Sequence, residues 1–274
     1  MPSSRIARLL TGPVTSPLAH RSLIWELAKR EVMGRYRGAS FGMLWSLISP
    51  FMLLAVYSFA FGSVMKGRWP AQGGQEHSFT LVLFIGLIIH GFLSEVVMRG
   101  PLLVTGNPSY VKRVIFPLDI LPWPMILSAL FHLLTNFVVF LALRLAMEHT
   151  LDWTVVLFPV VVLPLVILCF GVSWLLAALG VYVRDITQVT SVLSTALLFT
   201  SSAVMPMDSV APALRPLFLL NPLTIIIDQA RNVALWHMMP DWTLLGIYMV
   251  VSLAVAFLGF TWFVATRRGF ADVL

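Results

Sequence analysis

Few side chains in this chain could do chemistry, and their longest run is a stripe of hydroxyls. Thr187, Ser191, Ser194, Thr195, Ser201 and Ser202 recur at an approximate i, i+3, i+4, i+7 spacing inside an apolar stretch, with Leu198 between them. Such hydroxyls can bond back to the preceding turn or hold helices together; a stripe this long can also line a hydrated path for a hydroxyl-rich cargo. An earlier apolar stretch supplies Trp45, Ser49, Tyr57 and Phe61. These suit an interfacial aromatic belt or the apolar faces of sugar rings, and composition does not choose between the two. His132 and Asn136 share one helix face, where hydrogen bonding between helices is the ordinary role. His90 and Glu95 lie about 140° apart around a helix, a poor geometry for one metal site.

Other chemistries lack their residues. No GxxxxGK[ST] phosphate loop occurs, and neither do HExxH or CxxC spacings, so catalytic and metal-ligating residues are both expected to be none. The single cysteine, Cys169, can form no intramolecular disulfide. Ion-coupled transport would place carboxylates near mid-membrane, and the apolar stretches hold almost none. A membrane-embedded lipid-modifying enzyme would need convergent polar groups, whereas Asp and His are scattered.

The elements that must position these residues are membrane helices. Mean hydropathy is +0.91 and 11% of the residues are charged, too few to clothe a water-soluble globule of 274 residues. Runs long enough to cross about 30 Å of hydrocarbon fall near 41–65, 79–98, 121–146, 155–182, 186–205 and 243–266. The fourth holds Pro159 and Pro164, which should bend or shorten its start. With the N-terminus in the cytoplasm, thirteen of the eighteen Lys and Arg residues lie inside. Lys66, Arg68, Arg144, Arg215 and Arg231 fall outside, so the positive-inside rule predicts six spans with both termini cytoplasmic. The basic residues gather at membrane edges, which points to anionic lipid and away from nucleic acid. The first 40 residues are basic and polar, with no short apolar core before a cleavage site, so no cleavable signal is expected. No repeat or long linker divides the chain, which reads as one all-α membrane domain over 1–274.

Residues 18–38 read as an amphipathic interfacial helix, with Ile24, Trp25, Leu27, Ala28, Val32 and Tyr36 on one side. Glu31 can pair with Arg35, and Glu26 with Arg30, at i, i+4. Its polar face can lie at the membrane surface or dock a cytoplasmic partner. Gly34, Gly38, Gly42, Ser46 and Pro50 recur every fourth residue, a spacing that lets helices approach closely, within the chain or between copies. Segment 206–242 is external and too short to cross. Asp208 and Ser209 are candidate helix N-caps, and Asn221-Pro222 fits an N-cap and first turn. Two short helices joined there could dip into the outer leaflet as a re-entrant cap.

With these residues in view, the chain resembles the membrane subunits of type-2 ABC exporters, in the branch that exports O-antigen, capsule or teichoic-acid polymers. The first-span signature is Arg35-Tyr36-Arg37-Gly38 leading to Phe41-Gly42-Met43-Leu44-Trp45 and on to Pro50. Two further matches are Asn107-Pro108 through Val114-Ile115-Phe116-Pro117-Leu118, and Leu220-Asn221-Pro222-Leu223-Thr224 with Arg231 downstream.

The resemblance implies a homodimer of six-span subunits in the cytoplasmic (inner) membrane, paired with two copies of a separate ATPase that binds ATP and Mg. This chain would itself carry no cofactor. It implies that the loop over 99–115, with Asn107, Tyr110, Lys112 and Arg113, couples to the ATPase, flanked by the helix carrying Lys29 and Arg30. Spans one and five of two subunits would enclose the channel through Trp45, Ser49, Tyr57, Ser191, Ser194, Thr195 and Ser202. Asn221, Pro222 and Arg231 would stand near an external gate. The cargo implied is a lipid-linked polysaccharide entering from the inner leaflet, with O-antigen as the first reading. Capsule, teichoic acid, drug or lipid are cargoes for the same architecture.

Overall fold

The computed structural model describes residues 13, 15–60, 69, 77–111 and 116–273. Within them every regular element is a helix. On the cytoplasmic side of the expected topology, α1 (Arg21–Arg35) precedes α2 (Trp45–Tyr57), which with its flanking turns forms an apolar helix over Gly42–Ala60. Next come α3 (Phe79–Arg99), the short α4 (Leu102–Thr105) and α5 (Pro108–Val111), and α6 (Pro122–Glu148). Then follow α7 (Phe158–Tyr182), α8 (Ile186–Phe199), the short α9 (Arg215–Leu220), α10 (Pro222–Ala234), α11 (Trp242–Thr266) and α12 (Phe270–Val273).

Five of these helical stretches are long and apolar enough to cross a membrane: Gly42–Ala60, Phe79–Arg99, Leu118–Glu148, Trp153–Tyr182 and Trp242–Val273. The stretch expected to cross at 186–205 differs. Its helix α8 has 14 residues, about 21 Å at 1.5 Å per residue, against about 30 Å of hydrocarbon. The reason is local. After Phe199 the Ser201 hydroxyl donates to the Leu198 carbonyl and accepts from the Ala203 N–H, closing a turn where a helix would continue. The two prolines of the fourth stretch differ: Pro159 lies in the first turn of α7, after a tighter 3-10 turn, whereas Pro164 lies inside the continuous helix.

Helix α3 lies at the centre, packed against α6, α7, α8 and α10. The closest crossing is between α7 and α11. A Cβ on Gly171 would collide with the Val255 carbonyl, and one on Gly259 with Gly171 itself, so the two backbones touch through paired glycines. The small-residue repeat near the N-terminus makes no such contact within the chain: nothing lies within 4 Å of a Cβ built on Gly34, Gly38 or Gly42. Gly38 and Gly42 have φ of 87° and 48°. They form the left-handed turns that connect α1 to α2, a conformation other residues avoid.

Candidate functional site

The first site begins where α8 stops. A helix end leaves four carbonyls without partners, and in a membrane each costs several kcal/mol. Asn221 answers part of this need: its Nδ2 donates to the Leu197 carbonyl and to Thr200 Oγ1, both at 2.9 Å, while its Oδ1 accepts from the Leu223 N–H at 2.9 Å. One side chain thus caps the start of α10 and the end of α8, with Pro222 preset in the first turn. Arg231, one helical face further on, is fully buried. It donates to the carbonyls of Ser202 (2.7 Å), Ala203 (3.0 Å) and, on α3, Val82 (3.0 Å). Its guanidinium lies 4.1 Å from the Trp69 ring centroid and 3.7 Å from Asp228. Burial pulls it down to about 10, opposed by Asp228, so it remains a cation at neutral pH. Gly86 makes room, since a Cβ there would meet Ala203. Asn221, Pro222 and Arg231 therefore meet at one junction. Asp208 and Ser209 lie in a 3-10 turn without a side-chain cap, contrary to expectation, because Pro206 and Pro212 keep the flanking chain extended.

A second cluster involves none of the residues singled out from the sequence as site residues. Arg144, fully buried near the end of α6, pairs with Asp152, reaches Glu148 at 3.4 Å and donates to the Ala234 carbonyl at 2.6 Å. His77 lies 2.9 Å from Glu148, and His237 2.7 Å from Asp152. The signal was present: Arg144 and Glu148 stand at i, i+4 at the end of an apolar run, where ionisable groups demand partners.

The hydroxyl stripe divides. Ser194 and Ser202 are buried within the chain: Ser194 bonds Ser94 of α3, its carbonyl accepts from His90 at 3.0 Å, and the Ser202 hydroxyl faces the Thr224 carbonyl at 3.4 Å. Ser191 and Thr195, about 60° and 100° around α8 from Ser194, are exposed, as is Val192. On α2, Ser49 is exposed and Trp45 half-buried, while Phe51, Leu53 and Val56 are exposed. The Tyr57 side chain lies outside the described residues.

At the other end, α1 is clasped onto the bundle. Ile24 and Ala28 are buried against α6, while Trp25, expected on the same face, is exposed. The ion pairs run between elements and not along α1: Glu31 pairs with Arg99, and Arg35 with Glu95 at 2.8 Å. Glu95 also holds Arg99 at 2.8 Å and His132 at 3.1 Å. Partners on a neighbouring helix win because they are themselves partly desolvated and need the charge. Arg30 donates to the Tyr110 hydroxyl at 2.9 Å, and Tyr110 stacks on Phe116 at 4.3 Å. Asn107 donates back to the Leu103 carbonyl at 3.1 Å, and Lys29 is exposed. Lys112 and Arg113 lie outside the described residues. The Pro101 backbone lies against Gly180 of α7, where a Cβ would not fit, so the loop region rests on the spanning bundle. Among the described residues no group of three or more His, Cys, Asp or Glu could hold a metal.

Residues 22–235 match the family ABC-2 type transporter. The O-antigen export system permease protein RfbA of Myxococcus xanthus is 28% identical over 92% of this chain and 95% of its own length. Two proteins of the same name from Klebsiella pneumoniae are 21% and 22% identical over the same shares. A multi-pass helical bundle, with no phosphate loop in its sequence and a family match across most of its length, belongs to the ABC-2 type transporter family.

Proposed function

We propose that this chain is the permease subunit of an ATP-driven exporter of a lipid-linked polysaccharide, O-antigen in the first instance. The observation that carries this reading is the end-to-end similarity to three O-antigen export permeases, which spans 92% of the chain. Two copies form the channel in the cytoplasmic membrane, and two copies of a separate ATPase bind ATP and Mg beneath them. Both termini are cytoplasmic. In this reading α8 completes a sixth crossing with the aid of the hairpin of α9 and α10, which covers its broken end near the external gate. The exposed faces of α2 and α8, with Trp45, Ser49, Ser191 and Thr195, border the path, while Ser194 and Ser202 hold α8 to its own bundle. The α1 face with Lys29 and Arg30, and the loop with Asn107, Tyr110, Lys112 and Arg113, meet the ATPase.

The test is deletion of the gene followed by analysis of cytoplasmic lipid-linked glycans. Accumulation of O-antigen on its lipid carrier is expected. Accumulation of a capsular or teichoic-acid precursor would reassign the cargo within the same architecture, and unchanged glycan pools would contradict polysaccharide export.

A further inference from the structure

A cleft of about 270 Å³ opens between the end of α1, α2, α3 and α6. Its size is near the lower end of ligand pockets, ~300–1,000 Å³, and suits one ring-sized group. Its polar wall carries Arg35, Tyr36, Ser49, Glu95, His132 and Asn136; its apolar wall carries Trp45, Pro50 and Phe92. Such a concentration of polar groups is unusual in a chain this apolar.

Two features decide what chemistry the cleft would accept. Neither the Ser49 hydroxyl nor the Asn136 amide has a hydrogen-bond partner among the described residues. Polar groups left bare in a membrane cost several kcal/mol each, so these two favour water or a hydrogen-bonding ligand in the cleft. The charges are already matched: Arg35 and Glu95 pair at 2.8 Å, and behind them Arg99 bonds both Glu95 and Glu31. A phosphate would meet the Glu95 carboxylate with no unpaired cation to balance it among the described residues that line the cleft. An uncharged, hydroxyl-bearing ring meets no such penalty, since amide, hydroxyl and carboxylate can bond its edge while Trp45 and Phe92 cover its apolar face.

We propose that this cleft is a saccharide subsite, holding one uncharged sugar unit of the polymer at the end of α2 nearest α1. The proposal rests on the polysaccharide-export reading and adds where a sugar is first held. The experiment is saturation-transfer NMR on the intact exporter with its ATPase in lipid nanodiscs. The probes are mannose, galactose, rhamnose and N-acetylglucosamine, each added separately, with inorganic pyrophosphate as a charged comparison. At least one sugar is expected to receive saturation. The signal is expected to be lost in Asn136→Leu, reduced at least several-fold in Ser49→Val, and kept in Val250→Ala, which changes an exposed position on α11. Two results would overturn the proposal: sugars that stay silent, or a sugar signal unchanged in both cleft variants. Asn136-dependent binding of pyrophosphate without sugar binding would overturn it in favour of a phosphate headgroup. Silence of the sugars alongside glycan accumulation in the deletion strain would remove the subsite and leave the export reading standing.

Discussion

Helices α3 and α2 are both apolar enough to cross a membrane, yet the most apolar part of the first is 72% buried inside the chain and that of the second 12%. Hydropathy sets the solvent of a helix, and neighbours decide which of its faces meet protein. Helix α3 is wrapped by α6, α7, α8 and α10; among the helices, α2 packs chiefly on α6. Low burial alone does not identify a functional face, because the Trp242–Val273 stretch is also only 22% buried. The open side of α11 presents Ile247, Val250, Val251, Leu253 and Leu258, a face suited to lipid. The open sides of α2 and α8 add Ser49 and Ser191, whose hydroxyls have no partner among the described residues and which lipid cannot satisfy, beside Thr195, which bonds back to the Ser191 carbonyl at 3.3 Å. That polar difference separates a lipid face from a candidate conduit wall.

The largest expected effect lies on the packed side. Arg231→Met removes the donors that serve the carbonyls of Val82, Ser202 and Ala203 and should destabilise the protein by about 3–5 kcal/mol. Arg231→Lys should recover only part of this, because an ammonium cannot reproduce the planar fork. Thermal unfolding of the purified protein in detergent gives both values, and a wild-type midpoint for Arg231→Met would contradict the role assigned to that junction. Asn221→Ala should cost less, about 1–3 kcal/mol, through loss of the α10 cap and of the bond to the Leu197 carbonyl.

On the open side the expectation reverses. Val192→Ala and Phe51→Ala touch faces that the chain leaves exposed, so stability should change by no more than about 0.5 kcal/mol. Polymer export and cross-linking between copies should fall instead. A stability loss matching that of Arg231→Met would erase the contrast between the two regions. Replacement of Tyr110 by Ala should leave unfolding unchanged within a similar margin and, on the proposed topology, weaken ATPase copurification, because its bond to Arg30 and stack on Phe116 lie outside the spanning stretches.

Much of the fold was legible because membrane helices announce themselves by length and hydropathy. The Asn221-Pro222 start of α10 was legible for a different reason: an N-cap followed by proline is a local signal, complete within a few residues. The short α8 was not, since the turn after Phe199 depends on a Ser201 hydroxyl that helix periodicity reads as one more polar position. Long-range partners were equally hidden. Spacing placed Glu31 opposite Arg35, but Arg99 and Glu95 of α3 take them. The hydroxyl spacing continues on α8 only as far as Thr195, since Ser201 and Ser202 lie in the turn beyond Phe199, and which hydroxyls turn inward depends on Ser94 and Thr224, residues far away in sequence. The small-residue repeat was a real pattern whose use differs: two of its glycines make turns, and the close crossing falls to Gly171 and Gly259.

The most direct test of the open face of α8 as a hydrated wall is single-cysteine labelling on a Cys169→Ala background, where the native thiol is buried in any case. Ser191→Cys and Thr195→Cys should react with a small aqueous maleimide in the assembled exporter, since reaction needs the thiolate and therefore water. Ser194→Cys and Ser202→Cys should stay inert in both resting and nucleotide-trapped states. Equal inertness of all four positions would contradict a hydrated path along α8, and preferential labelling at 194 and 202 would show that the inward-turned side carries it.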